Sequence, residues 1–291
     1  MGVDLMLEYK SKLVVLDGGG RVTMRQMLGR GIVGTWAALA LVLVAVMCAH
    51  AQSSLDAIRA RGLLRVGVKT DAPSFGSFDE GGRHVGFEID LARFFARVLF
   101  DDDNRVQFVP VTTSTRFEAL QAGRVDLLLA TVTATEERRS LAELSEPYFI
   151  SASLLLVAQE SRLERLSDAA GQRVAVVKGS IQEHDVAELQ SRAMLLAVSS
   201  VAEGVQAVKS GQADAFVYDD VVVLELAQRE TALRVTGAPI RPRPYVAAAQ
   251  KGDTGLIQWV NGWLAKMRRD GSYSRMWHPY FGPFESHLVG D

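Results

Sequence analysis

Past its first fifty residues the chain alternates between two hydrophobic periods. Leu64-Arg-Val-Gly-Val68 alternates apolar and polar positions and is β-branched, which predicts a strand. A turn-rich stretch follows over 71–82, holding Pro73, Gly76 and the pair Gly81-Gly82. From Phe87 to Leu99 apolar residues stand at 87, 91, 94, 95, 98 and 99, the single stripe of an amphipathic helix. Strands are predicted over 106–111 and 125–130, with a short helix over 115–122 that Gly123 stops. The order β-α-β-α-β implies an α/β fold with a mainly parallel sheet and helices on both faces. The pattern then restarts. Strands are predicted over 153–158, 173–177, 213–218 and 245–249, with helices near 183–190, 203–209 and 221–228 and a long amphipathic one over 255–269.

The two halves echo each other. Gln121-Ala-Gly-Arg-Val-Asp-Leu-Leu-Leu129 resembles Lys209-Ser-Gly-Gln-Ala-Asp-Ala-Phe-Val217: a helix end, a glycine, then a strand carrying an aspartate. This predicts two similar α/β lobes, each with a ligand-facing strand end. Open α/β sheets bind ligands beyond the carboxyl ends of their strands, so two facing lobes make a cleft.

The N-terminal region follows a different rule. No charged residue occurs from Gly31 to Ala49, Arg25 and Arg30 precede that run, and Ala49-His50-Ala51 follows it. Basic flank, apolar core and small-x-small site are the parts of a secretory signal. The expectation is a start at Met24, an upstream extension over 1–23, a signal over 24–51 cleaved near Ala51, and a mature periplasmic chain from Gln52. An uncleaved anchor is the competing reading of the same run. Acylation of Cys48 is disfavoured by Met47, where a small residue is expected. Gly29-Arg-Gly31-Ile-Val-Gly34 fits a dinucleotide-binding spacing, but no strand leads into it, so it reads as glycine spacing within the signal.

Composition narrows the chemistry. Net charge is −2 with no basic run, which excludes a surface built to neutralise phosphates and hence a nucleic-acid partner. The single cysteine permits no internal disulfide. The histidines (His50, His84, His184, His278 and His287) include no i, i+4 pair, so the sequence asks for no metal and no cofactor.

Several stretches taken together resemble the family 3 periplasmic solute-binding proteins of ABC amino-acid transporters. They are Leu64-Arg-Val-Gly-Val-Lys69, Val85-Gly-Phe-Glu-Ile-Asp-Leu-Ala92, Ala119-Leu-Gln-Ala-Gly-Arg-Val-Asp-Leu127 and Ala130-Thr-Val-Thr-Ala-Thr-Glu-Glu-Arg138. Leu144-Ser-Glu-Pro-Tyr-Phe149, Val176-Val-Lys-Gly-Ser180, Ala213-Asp-Ala-Phe-Val-Tyr-Asp-Asp220 and Trp277-His-Pro-Tyr-Phe-Gly282 follow in the family's order. The resemblance implies a type II periplasmic-binding-protein fold. Lobe 1 would be 52–150 plus 243–291, lobe 2 would be 151–242, and the hinge would lie near 147–153 and 242–246. It implies a non-catalytic monomer that hands a small amino acid to the permease subunits of an importer.

A free amino acid brings a carboxylate and an ammonium, and each needs a partner once desolvated. The resemblance assigns the carboxylate to Arg138, whose planar guanidinium can take both oxygens, with Thr131 and Thr133 at the same strand end. Read alone, Arg138 is a solvated charge beside Arg139. Ser180 after Gly179 would add donors from the second lobe, or simply cap a helix. Asp219 would take the ammonium and Asp220 would cap the next helix. Thr113-Ser-Thr-Arg116 resembles the glutamate/aspartate subgroup, in which Arg116 and Lys69 would receive a distal carboxylate. That subgroup can carry a histidine near the position of Val201, and this chain has none. Phe75 reads as an apolar wall over the ligand or as core. Two alternatives stand beside this: a neutral polar ligand, and a dehydratase of the cyclohexadienyl type on the same fold, with Glu88 and Lys69 as acid–base candidates. A sensor fused to an effector is not expected from a chain ending soon after Gly282.

Overall fold

The structure of the protein is a computed structural model that describes residues 54–287. The predicted signal, its cleavage site and Cys48 lie outside the described residues.

The chain opens with helix α1 (Ser54–Arg61) and strand β1 (Leu64–Val68). A small hairpin, β2 (Ser77–Phe78) and β3 (His84–Val85), leads to helix α2 (Phe87–Phe100). Next come β4 (Val106–Pro110), α3 (Arg116–Gln121), β5 (Leu127–Leu129), α4 (Glu136–Leu141) and the long strand β6 (Ala142–Ala158). After a 3-10 turn at Leu166–Ala169 the order is β7 (Arg173–Val177), α5 (Ile181–Leu189), β8 (Met194–Val198), α6 (Val201–Lys209), β9 (Ala215–Asp219) and α7 (Asp220–Arg229). The chain returns through β10 (Leu233–Gln250) and closes with α8 (Thr254–Arg269), α9 (Ser272–Phe281) and a 3-10 turn.

Eight strands form one mixed sheet in the order β4-β1-β5-β10-β6-β9-β7-β8. It is nearly symmetric about its middle. Three parallel strands, β4-β1-β5, lie on one side and three more, β9-β7-β8, on the other. The antiparallel pair β10-β6 joins them. At one end β10 pairs with β5 through Ala248 and Ala249; at the other β6 pairs with β9 from Ser153 to Leu156. Between those ends the β6–β10 register shifts four times, from Thr236 to Ala248. Two lobes are thus linked by two strands in which the ladder is locally broken.

The first lobe has an apolar interior. α2 buries Phe87, Ile89, Leu91, Ala92, Phe95 and Ala96, and α8 buries Leu256, Ile257, Val260, Leu264 and Met267. Both helices turn one stripe to the sheet, which supplies most of their stability. Gly86 precedes α2 with φ 130; a Cβ there would lie 2.2 Å from the carbonyl oxygen of Phe75. Only glycine lets the loop and the helix start touch this closely.

The linking strands are longer than the predicted 153–158 and 245–249. Pro147, Pro242 and Pro244 interrupt the hydrophobic pattern and read as breakers, yet all three lie within strands, where the ladder already shifts register. α1, the β2–β3 hairpin, α4, β8 and α9 were not predicted. β8 is an edge strand exposing Met194 and Leu195, and α9 contains Pro279.

Candidate functional site

Parallel strands deliver their carboxyl ends to the same side of a sheet, and here both lobes do so across a shared cleft. Its lining is Thr113, Arg116, Thr131, Thr133 and Arg138 from one lobe and Ser180, Ile181, Gln182, Tyr218 and Asp219 from the other.

Arg138 is the third residue of α4, whose N-cap, Thr135, accepts the Arg138 N–H. The guanidinium donates to the Thr133 carbonyl at 2.9 Å and reaches the Gly179 carbonyl of the opposite lobe at 3.5 Å. Burial, reinforced by the nearby Arg116 charge, pushes its pKa down to about 9. Gly179 itself has φ 75, and a Cβ on it would sit 3.5 Å from Ser114 Cα, so this turn brings the two lobes into contact.

Arg116 begins α3 and is also buried. Its Nη1 donates to the carbonyls of Ala130 at 2.7 Å and Thr131 at 3.0 Å, while its buried Nε has no partner among the described residues. Burial lowers its pKa, opposed by Tyr218 and Asp219. Among the described residues neither Arg116 nor Arg138 has a carboxylate at ion-pair distance.

On the facing side, Asp219 ends β9. One oxygen accepts from Gln182 Nε2 at 2.8 Å, and Gln182 also donates to Ser153 Oγ at 2.9 Å. Burial raises the Asp219 pKa. The cleft therefore sets two desolvated cations on one wall against one desolvated carboxylate on the other.

Six of the eight residues singled out in the sequence line this space: Arg116, Thr131, Thr133, Arg138, Ser180 and Asp219. Ser180 caps α5, its Oγ accepting the Glu183 N–H, and its own N–H goes to the Val177 carbonyl, so only the hydroxyl proton is left for a ligand. Lys69 and Phe75 sit elsewhere. Lys69 Nζ is fully buried in an ion pair with Asp71 at 2.9 Å and donates to Thr113 Oγ1 at 2.8 Å and Tyr218 Oη at 3.4 Å. Burial opposes its charge, but Tyr218 and Asp71 outweigh it and raise the pKa. Phe75 packs in the core, its ring 5.0–5.5 Å from those of Phe149, Tyr245 and Phe281. Asp220 is the first residue of α7, one past the N-cap position; its carboxylate accepts the Val221 N–H of that first turn at 2.8 Å and ties α7 to β6, accepting from Ser151 Oγ and Ala152 N, each at 2.9 Å.

The sequence reading missed Thr113, Ile181, Gln182 and Tyr218. The usable signal was position: Thr113 and Tyr218 stand at or just beyond strand ends, and Ile181 and Gln182 open the helix after the Gly179 turn. On α5, His184, Asp185 and Glu188 bring three potential metal-ligand atoms together. Arg241 and Arg243 already occupy both Asp185 oxygens, so the group anchors β10 instead.

Similarity to known proteins agrees with this architecture. The chain is 34% identical over 228 residues to the ABC transporter glutamine-binding protein GlnH of Bacillus subtilis, covering 78% of this chain and 84% of that one. An ancestral arginine-binding protein bound to glutamine superposes with a TM-score of 0.72 at 33% identity, covering 76% of this chain and 99% of that one. An ancestral amino acid-binding protein that is a precursor of cyclohexadienyl dehydratase superposes at 0.73 with 34% identity, covering 79% and 100%. The fold is the two-lobed type II periplasmic-binding-protein fold. Residues 64–283 match the family model for bacterial extracellular solute-binding proteins, family 3, and the chain belongs to that family.

Proposed function

We propose that the protein binds a free amino acid in the interlobe cleft and passes it to the permease of an ABC importer. The carrying observation is the charge arrangement of the cleft: Arg138 on one wall and Asp219 on the other, each buried and neither ion-paired among the described residues. An α-amino acid supplies the missing partners, its carboxylate at Arg138 beside Thr131 and Thr133 and its ammonium at Asp219. Such a pair of desolvated contacts favours closure only when both are made. The lobes already touch, through Ser74 Oγ to Glu225 Oε2 at 2.6 Å and Val201 N to Asp71 Oδ2 at 3.4 Å. The shifted register of β6 and β10 is our candidate hinge.

For the side chain we propose glutamate or aspartate. Arg116 is the second unpaired cation of the lining, and a distal carboxylate would balance it. Glutamine is the second reading, favoured by one observation: Lys69, the other cation the sequence reading had counted, is already neutralised by Asp71. A dehydratase is disfavoured, because the two acid–base candidates, Glu88 and Lys69, lie behind the lining with partners of their own. A thermal-shift screen over the common amino acids tests the reading, since a ligand bound only by the native state raises its midpoint with concentration. Stabilisation by glutamate or aspartate supports the acidic reading and stabilisation by glutamine alone supports the amide. A shift with arginine or histidine and none with these removes both.

A further inference from the structure

β5 leaves the sheet and enters the cleft at Thr131, with φ 48. β-branched residues rarely adopt this left-handed region. Two buried side chains hold the backbone there. Glu88 Oε1 accepts the Thr131 N–H at 2.7 Å, and Arg116 donates to the Thr131 carbonyl at 3.0 Å. Glu88 is in turn gripped by the Tyr148 hydroxyl. It is completely buried in the first turn of α2, its second oxygen meets no partner among the described residues, and it does not line the cleft. A buried carboxylate at a position facing the core is costly where a leucine would pack freely. Outlying backbone conformations persist only where the surroundings over-determine them, and they cluster at ligand clamps.

Resting on the amino-acid-binding reading above, we propose that Glu88 is a positioning residue of the ligand site, holding Thr131 in its left-handed conformation so that Thr131 and Thr133 face the ligand carboxylate. The connection onward is short. The Thr133 carbonyl, two residues along, orients the Arg138 guanidinium at 2.9 Å. A change in the backbone path at Thr131 therefore moves the hydroxyls and the cation together, and small misplacements of a binding group are expensive. The requirement on residue 88 is a hydrogen-bond acceptor at one place, which glutamine also provides and leucine does not.

Calorimetric titration of the purified protein with glutamate and with glutamine tests this. For the tighter ligand, Glu88→Gln should bind within about threefold of the parent and Glu88→Leu at least about tenfold more weakly. In a Thr131→Gly background, Glu88→Leu should cost less than about threefold beyond the glycine variant itself, because glycine adopts a positive φ without support. A folded Glu88→Leu variant that binds within threefold of the parent overturns the proposal, as does a Glu88→Gln variant that loses as much as the leucine one. If the leucine variant does not fold, Tyr148→Phe decides: it should weaken binding about two- to fivefold, and unchanged affinity overturns the proposal. A parent protein that binds neither amino acid is a different failure, that of the functional reading itself.

Discussion

The two lobes carry the same device at the start of their strands and opposite charges at the end. Ahead of β5, Asp126 accepts the Arg65 N–H at 2.8 Å and pairs with the Arg65 side chain at 2.6 Å. Ahead of β9, Asp214 accepts the Arg173 N–H at 2.8 Å and pairs with its side chain at 2.9 Å. Each aspartate thus pins its own strand to the first residue region of the neighbouring parallel strand, β1 or β7. These are the aspartates of the sequence echo, and they lie at the strand starts, far along the strand from the cleft-facing ends. At those ends the likeness stops: the β5 end is followed by Thr131, Thr133 and Arg138, whereas β9 ends on Asp219. A repeated scaffold gives two matching walls, and their differing ends give the cleft a cationic and an anionic side.

Breaking the cationic side should have the largest effect. Arg138→Ala is expected to weaken amino-acid binding by about 3–5 kcal/mol, roughly a hundred- to several-thousand-fold, because a buried ion pair loses one partner. Calorimetry measures it, and circular dichroism should show the fold retained. Near-parental affinity would mean that Arg138 holds only its own carbonyl partners. Breaking the anionic side is the next test. Asp219→Asn keeps the shape and the Gln182 contact but removes the charge, so a loss of about 1.5–3 kcal/mol in affinity is expected.

Between wall and scaffold lies the pH response. Burial pushes Glu88 up to about 7 and Asp220 up to about 6, against ordinary carboxylate values near 4 in the unfolded chain. Carboxyls raised on folding take up protons when the chain folds. Their contribution is complete below the unfolded value and is lost as pH rises through the folded one. The thermal midpoint of the ligand-free protein should therefore fall between about pH 5 and 8, by roughly 10 °C. Glu88→Gln should flatten that slope, leaving the part due to Asp219 and Asp220. An unchanged slope would mean that Glu88 is already charged in the native protein. The smallest effect sharpens the comparison of the lobes. Asp126→Asn and Asp214→Asn should each cost about 1–2 kcal/mol of stability by denaturant melts and leave affinity unaltered. A binding defect in either would place the echo in the site rather than the scaffold.

The regular parts of each lobe were legible because their patterns are local. α2 and α8 each turn one apolar stripe inward, β1, β5 and β7 are short apolar runs buried on both faces, and their patterns say so. The linking strands were only half visible, because Pro147, Pro242 and Pro244 are read as breakers unless the broken ladder is known. Most of the lining was reached through the family resemblance, since Arg138 read alone is a solvated charge beside Arg139. Lys69 was misplaced for a physical reason: a lysine after a strand looks like a cleft cation, and nothing in the order of residues says that Asp71, two positions on, folds back to pair with it. Phe75 was left between wall and core, and the aromatic cluster with Phe149 and Phe281 that places it comes from distant segments. Glu88 looked like a possible acid or base, whereas its bonds to Thr131 and Tyr148 exist only in three dimensions.

The central claim is that the cleft recognises both charged ends of an α-amino acid. Calorimetric titration with L-glutamate, glutarate and 4-aminobutyrate tests it most directly, because the second lacks the ammonium and the third lacks the α-carboxylate. The expected result is saturable binding of L-glutamate with each analogue weaker by at least about a hundredfold. Glutarate or 4-aminobutyrate binding as tightly as L-glutamate would contradict the account.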